Sequence, residues 1–166
     1  MLHTYKKAEK ASVVLNDLIK INNERIVCYQ QAINQAVNLD IDFNHLFQEI
    51  IVEGQEFNQQ LINKINEFDG NPKDNVSISG LIHRAWLDLK VTFTGNTRNA
   101  IMNFCEYNEE VAQHAYEAAL NVSAEMNNDI YTLIEQQQDT LKRTFASLKK
   151  CHEVRSYSSP MLAYFN

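Results

Sequence analysis

Glycine and proline are scarce, with four and two copies in 166 residues, so few points exist at which a long helix is forced to stop. The chain also has no apolar run of about eighteen residues, which excludes a membrane-spanning helix. Its first residues, Met1-Leu2-His3-Thr4-Tyr5-Lys6-Lys7, lack the apolar core of a signal peptide, and the expected location is cytoplasmic. Basic residues are in deficit: 15 Lys and Arg stand against 21 Asp and Glu, for a formal charge of −6. Such a chain repels a phosphate backbone, which excludes nucleic acid as a partner. Cysteine is limited to Cys28, Cys105 and Cys151, an odd, widely spaced set without a C-x-x-C pair. Neither a disulfide framework nor a zinc site follows, and these thiols are expected to act as small hydrophobes. A domain of this length buries roughly two-thirds of its unfolded surface and needs no such staple.

What is present is helical periodicity. Gly70, Pro72, Gly80 and Gly95 fall in one stretch and leave long uninterrupted segments on either side. The first helix is expected over about 11–37, with Leu15, Leu18, Ile26, Tyr29, Ile33 and Ala36 on one face. After the turn Asn38-Leu39-Asp40, where Asp40 or Asp42 is placed to cap, the second covers about 42–68 with Phe43, Leu46, Ile50, Phe57, Leu61, Ile65 and Phe68 aligned. The third runs over about 97–122 through Ile101, Phe104, Cys105, Val111, Ala112, Ala115, Ala118 and Ala119. The fourth, about 124–151 with Ser123 as cap, carries Met126, Ile130, Ile134, Leu141, Phe145 and Leu148. Helices of this length are roughly 40 Å long and bury such stripes only by lying side by side.

Turns 1–2 and 3–4 are short, so each pair forms an antiparallel hairpin, whereas residues 70 to 96 separate the two hairpins. Within that stretch Ile78, Leu81, Ile82, Ala85, Trp86, Leu89 and Phe93 keep a helical period. They predict a crossover helix over about 78–93, lying along the bundle and anchored by Trp86. The expected fold is therefore all-α, a ferritin-like four-helix bundle of two hairpins joined by a long crossover, forming a single domain over 1–152. The tail, 153–166, ends in Met161, Leu162, Tyr164 and Phe165. It offers an apolar surface to the bundle or to a second subunit of a homodimer, and its bland reading is a frayed terminus.

Each long helix breaks its own apolar stripe near the middle, at Asn22, Glu53, Asn108 and Gln137. Helix midpoints lie at one height in a bundle, so the four are expected to form a buried polar layer, with Arg25, Glu56, Glu106, Glu109, Glu135 and Gln138 close by. A buried polar group without a partner costs about 1–3 kcal/mol, so a layer persists only if its members satisfy one another, hold water or bind something. Three readings compete: a hydrogen-bonded layer that fixes helix register, a metal site, or a stripe that drifts and leaves some of these residues in solvent. Two adjacent cations require about four carboxylates, usually with a His three residues after a Glu on two helices. The chain has no Glu-x-x-His. It has Glu53/Glu56 and Glu106/Glu109 instead, a set able to take an oxygen-loving cation or to enclose Arg25 as counter-ion. The histidines sit elsewhere: His3 and His152 near the ends, His45 in a first turn, His83 in the crossover, and His114 about one and a half turns from the layer beside Glu110. No nucleophile with an adjacent base, Gly-rich phosphate loop or redox cysteine pair is present, which points away from an enzyme.

The run Leu15-Asn16-Asp17-Leu18-Ile19-Lys20-Ile21-Asn22-Asn23-Glu24-Arg25 with Tyr29, the stretch Ser79 to Lys90 containing His83-Arg84-Ala85-Trp86, and Cys105 to Glu110 with Tyr116 to Leu120 resemble a bacterial family of ferritin-like four-helix-bundle proteins carried as a domain of unknown function. The resemblance covers about residues 11 to 152. That family is similar in plan to rubrerythrins and ferritins. By that resemblance Asn22 falls where the first helix of those enzymes carries a ligand Glu, and Tyr29 matches a tyrosine further along it. Glu53 and Glu56 match the second helix's Glu-x-x-His with Glu56 in place of the imidazole. Glu106 or Glu109 matches the third-helix Glu, and Glu135/Gln138 the fourth-helix Glu-x-x-His with Gln in place of His. The resemblance thus implies an altered metal site, with no cofactor expected and a stress-associated, structural or interaction role. A divergent Fe or Mn protein using Glu53, Glu56, Glu106 and Glu109 is the alternative.

Overall fold

In a computed structural model of the chain, the residues described are 2–36, 41–67, 95 and 97–156. They form four α-helices and, among the described residues, no strand: α1 Leu2–Gln35, α2 Ile41–Glu67, α3 Arg98–Ser123 and α4 Asn128–Ser156. The expected crossover helix with Trp86, the turn at 38–40 and the last ten residues of the tail lie outside the described residues. No described helix is long and apolar enough to cross a membrane.

Two boundaries differ instructively from expectation. Helix α1 starts at Leu2 rather than near Ala11, because its first turns carry no glycine or proline to stop them. Helix α4 is not capped by Ser123, which ends α3 and turns its hydroxyl back on the Leu120 carbonyl at 3.1 Å. The cap is Asn127, whose Oδ1 accepts the Asp129 amide at 2.9 Å and satisfies one of the orphan donors of the first turn. Thr97 does the same for α3, accepting from the Ala100 amide at 3.2 Å. Just before it, Gly95 has φ of 130°, a region that costs glycine nothing and a side chain a good deal. At the far end α4 continues through Glu153 to Ser156, residues expected to begin the tail.

Helix α1 borders α2 and α3, and α4 borders α3 and α2. Every neighbouring pair is antiparallel. From Asn22 through Arg25 to Cys28 on α1, the bonded partners on α3 step back from Tyr116 through Glu109 to Asn108. From Asn23 to Arg25 the partners on α2 step back from Asn58 to Glu53. Glu53 and Gln60 on α2 meet Thr144 and Gln137 on α4, while Glu106 and Tyr116 on α3 meet His152 and Gln137. Helices α2 and α3 therefore run in the same direction on one diagonal of the bundle.

The apolar core is in two parts. One end packs Leu15, Leu18, Ile21, Leu61, Ile65, Ala112, Ala115 and Leu141, all fully buried, around Phe57 and Tyr116. The other packs Tyr29, Phe43, Phe47, Ile50, Ile101, Met102 and Leu148, with the Tyr29 ring edge-on to Phe47 at 5.3 Å. Each fully buried Leu or Ile contributes roughly 1.5–3 kcal/mol on transfer from water. Close approach of α1 to α2 between the two parts depends on Gly54, where a Cβ would stand 2.9 Å from Ile26 Cγ1. Alanine is the better helix former by about 1 kcal/mol, but the overlap involves a branch atom near the backbone. Gly54→Ala is expected to lower the urea midpoint, with a loss of roughly 1 kcal/mol. Ile26→Ala combined with it should cost less than the two single changes added together.

Candidate functional site

The boundary between the two apolar clusters is polar, and it is built as two tiers that each touch all four helices. In the first tier Asn22 Nδ2 on α1 donates to Tyr116 Oη on α3 at 2.8 Å, and that hydroxyl donates to Gln137 Oε1 on α4 at 2.7 Å. The Gln137 amide then donates to α2, to Gln60 Oε1 at 2.8 Å and to the Phe57 carbonyl at 3.2 Å. Asn22, Tyr116 and Gln137 are no more than 2 % exposed. The tier is neutral, and its bonds run in one direction around the bundle.

One turn further along α1 the second tier is ionic. Arg25 is fully buried, an uncommon condition for arginine outside an ion pair. Its Nε donates to Glu109 Oε1 on α3 at 2.7 Å, and its Nη2 donates to Glu53 Oε1 on α2 at 2.8 Å. The second oxygen of Glu53 accepts from Thr144 on α4 at 2.6 Å. Beside this tier Cys28 Sγ donates to Asn108 Oδ1 at 3.3 Å, while the Asn108 amide donates to the Phe104 carbonyl at 2.7 Å.

The electrostatics follow from burial and from two carboxylates facing one guanidinium. Burial alone lowers the pKa of Arg25, but Glu109, by charge and hydrogen bond, and Glu53 outweigh it and hold the guanidinium above its ordinary value. The neutral groups are pushed the other way. Burial, then Glu24 and Glu109, moves the Cys28 thiol up to about 12. Burial first and Glu109 second raise Tyr29 and Cys105 well above their usual ranges. Burial raises Tyr116, against the opposing hydrogen bond from Asn22. A thiol held in its protonated form is a poor nucleophile and a poor metal ligand.

The four stripe-breaking residues are thus distributed over successive levels. Asn22 and Gln137 meet through Tyr116, Glu53 belongs to the Arg25 tier, and Asn108 stands beside Cys28. The carboxylates that would form a metal centre do not converge. Glu53 and Glu109 are taken up by the Nη2 and Nε donors of Arg25, and Glu56 is exposed. Glu106 faces His152 near the end of α4, Oε1 to Nδ1 at 2.5 Å. Among the described residues no three His, Cys, Asp or Glu side chains gather where a metal ion could sit. This donor set does not fit a di-metal cofactor.

Several members of the tiers were not singled out from the stripes: Tyr116, Gln60, Thr144 and Cys28. Two carried a signal, since Tyr116 lies seven residues from Glu109 and Thr144 seven from Gln137, two helical turns along the same face. Of the three thiols, Cys28 and Cys105 are buried as small hydrophobes would be, whereas Cys151 is exposed.

Three outcomes follow from this geometry. Arg25→Met strands a buried Glu109 and should cost roughly 3–5 kcal/mol in urea unfolding. The triple change Arg25→Met, Glu53→Gln, Glu109→Leu should recover most of that loss, and a triple variant as unstable as the single one would refute the layer's role. Because the folded thiols and tyrosines bind their protons more tightly than the unfolded chain does, their stabilisation is complete below the ordinary thiol value of 9.0 and is lost as pH rises past it and past 10.0. Melting temperature should therefore fall on the alkaline side. A thiol reagent at neutral pH should label Cys151 promptly and Cys28 and Cys105 only on unfolding.

A family profile described as a domain of unknown function, DUF2383, matches residues 10–122. The match takes in α1 from residue 10 onward, α2, and α3 up to residue 122, with the segment between the hairpins, and includes Asn22, Arg25, Glu53, Asn108, Glu109 and Tyr116, while α4 lies beyond it. No curated protein matches the chain. Since the profile spans well over half of the sequence, the chain belongs to the DUF2383 family of domains of unknown function.

Proposed function

We propose that this chain is a non-catalytic, ferritin-like bundle with a structural or interaction role, in which an arginine side chain replaces the cation of a degenerate metal centre. One observation carries the reading: the fully buried Arg25 guanidinium is held between Glu53 and Glu109 at 2.8 and 2.7 Å. A tethered cation fixes the register of three helices and neutralises carboxylate charge without any metal. Support for the ferritin-like plan comes from the common direction of α2 and α3, because a chain leaving one end of α2 must return along the bundle to enter α3 from the other. The stress association rests on the resemblance to ferritins and rubrerythrins. The acidic charge of −6 disfavours a nucleic-acid partner, and a cytoplasmic location and self-association as a homodimer belong to the same proposal.

The competing reading, a divergent Fe or Mn protein, draws on a single feature, the buried Glu109 carboxylate, whose second oxygen takes no bond from Arg25. Metal analysis of untagged protein, followed by thermal melts with and without Fe²⁺ or Mn²⁺, separates the two. The expected result is no stoichiometric metal and no shift. A resident site well supplied with metal would add roughly 2–3 kcal/mol to stability, and a corresponding rise in melting temperature would overturn the structural reading.

A further inference from the structure

Away from the layer, the seam between α3 and α4 opens into a groove of about 400 Å³, a volume that suits a small molecule. Its two walls carry opposite charge. From α3 come Glu110 and Glu117, two helical turns apart on one face, and from α4 comes Lys142. Lys142 is five residues past Gln137, yet its Nζ donates to Gln138 Oε1 at 3.2 Å, which draws the ammonium back towards the middle of the groove. Its ion pair is with Asp139 on its own helix, at 3.8 Å. Among the described residues neither Glu110 nor Glu117 has an ion-pair partner. Opposite charges thus face one opening without meeting across it.

Two amides line the same groove. Gln113 Nε2 on α3 is buried and has no hydrogen-bond partner among the described residues. Gln138 on α4 is 8 % exposed and bonds to Lys142 through its oxygen, not its nitrogen. The Tyr116–Gln137 hydrogen bond sets the level of the two helices. Gln138 stands one residue past it on α4 and Glu117 one residue past it on α3, and the helices are antiparallel. Donor wall and acceptor wall are therefore staggered by roughly 3 Å along the groove.

The donor set selects among ligands. Glu110, His114 and Glu117 share the α3 wall but are not gathered where a metal ion could sit. An inorganic anion would meet two carboxylates for one ammonium, and a polyamine would meet Lys142. A molecule with both charges answers both walls, and the small stagger requires those charges to be adjacent. We propose that the α3–α4 groove is a binding site for a free α-amino acid, whose carboxylate takes Lys142 Nζ and the Gln138 and Gln113 amides while its ammonium takes Glu117. The groove contains no member of the arginine-centred tier, so this site stands or falls separately from the structural reading of the layer.

The test uses the full chain, labelled with ¹⁵N, and the twenty common α-amino acids added singly up to roughly 10 mM, a range that reaches weak binders. At least one is expected to bind and to move amide signals confined to residues 110–121 and 131–142. Lys142→Met and Glu117→Gln should each weaken that ligand roughly tenfold or more, because each removes a charge-assisted bond. Both side chains are exposed, so the melting temperature of either free variant should stay near that of the parent chain. The matching amine without its carboxylate, the matching acid without its ammonium, and 6-aminohexanoate, whose charges are far apart, should bind at least tenfold more weakly. The proposal is overturned if none of the twenty binds, if the signals that move lie elsewhere, if Lys142→Met binds as well as the parent, or if the amine alone binds as tightly as the amino acid.

Discussion

A guanidinium buried between two carboxylates is the constraint on which the rest of this bundle depends. Removing Arg25 and its partners from water has a large desolvation cost, which is recovered only where donor and acceptor geometry is good on every side. That requirement fixes the height of α1 against α2 through Glu53 and against α3 through Glu109, and Thr144 brings α4 to the same level. An apolar seam by itself tolerates axial sliding, because one leucine is much like another. A charged centre with three bonded helices does not, and this is the sense in which a buried ion group specifies structure even where it adds little net stability.

The neutral tier complements it. Tyr116 accepts from Asn22 and donates to Gln137, so its hydroxyl is satisfied on both sides and stays protonated in a buried setting. Gln137 reaches a backbone carbonyl of α2 as well as the Gln60 side chain, which ties α4 to α2, a less closely approaching pair than α1 with α2 or α3 with α4. Two apolar clusters separated by such a layer form a core that is specified near its middle and sealed at both ends by Leu, Ile and aromatic side chains.

The same arrangement bears on chemistry. In a bundle interior, carboxylates require a counter-charge, and either a metal ion or an arginine can supply it. Here Arg25 takes two of the four carboxylates that the Glu-x-x-Glu pairs offer, His152 takes a third, and Glu56 is in solvent. The buried thiols near this centre keep their protons chiefly because burial penalises a thiolate, and Glu109, which helps to hold the charge on Arg25, adds to the cost of any further negative charge nearby.

The helical plan was legible in the sequence because the long segments hold no proline and a single glycine, Gly54, and the apolar period of each helix fixes the face it buries. That Asn22, Asn108 and Gln137 interrupt those faces was legible for the same reason, and all three are buried. Which residue meets which was not. Periodicity fixes a rotation about the helix axis but leaves the axial offset open, and α1 begins at Leu2, so equating helix midpoints misplaces levels by about a turn. The pairing of Arg25 with one member of each Glu-x-x-Glu pair, the recruitment of Tyr116 and Thr144, and the capture of Glu106 by His152 were decided by tertiary structure alone. Long side chains reach a turn up or down their helix, and the heights at which four helices settle depend on all their contacts together.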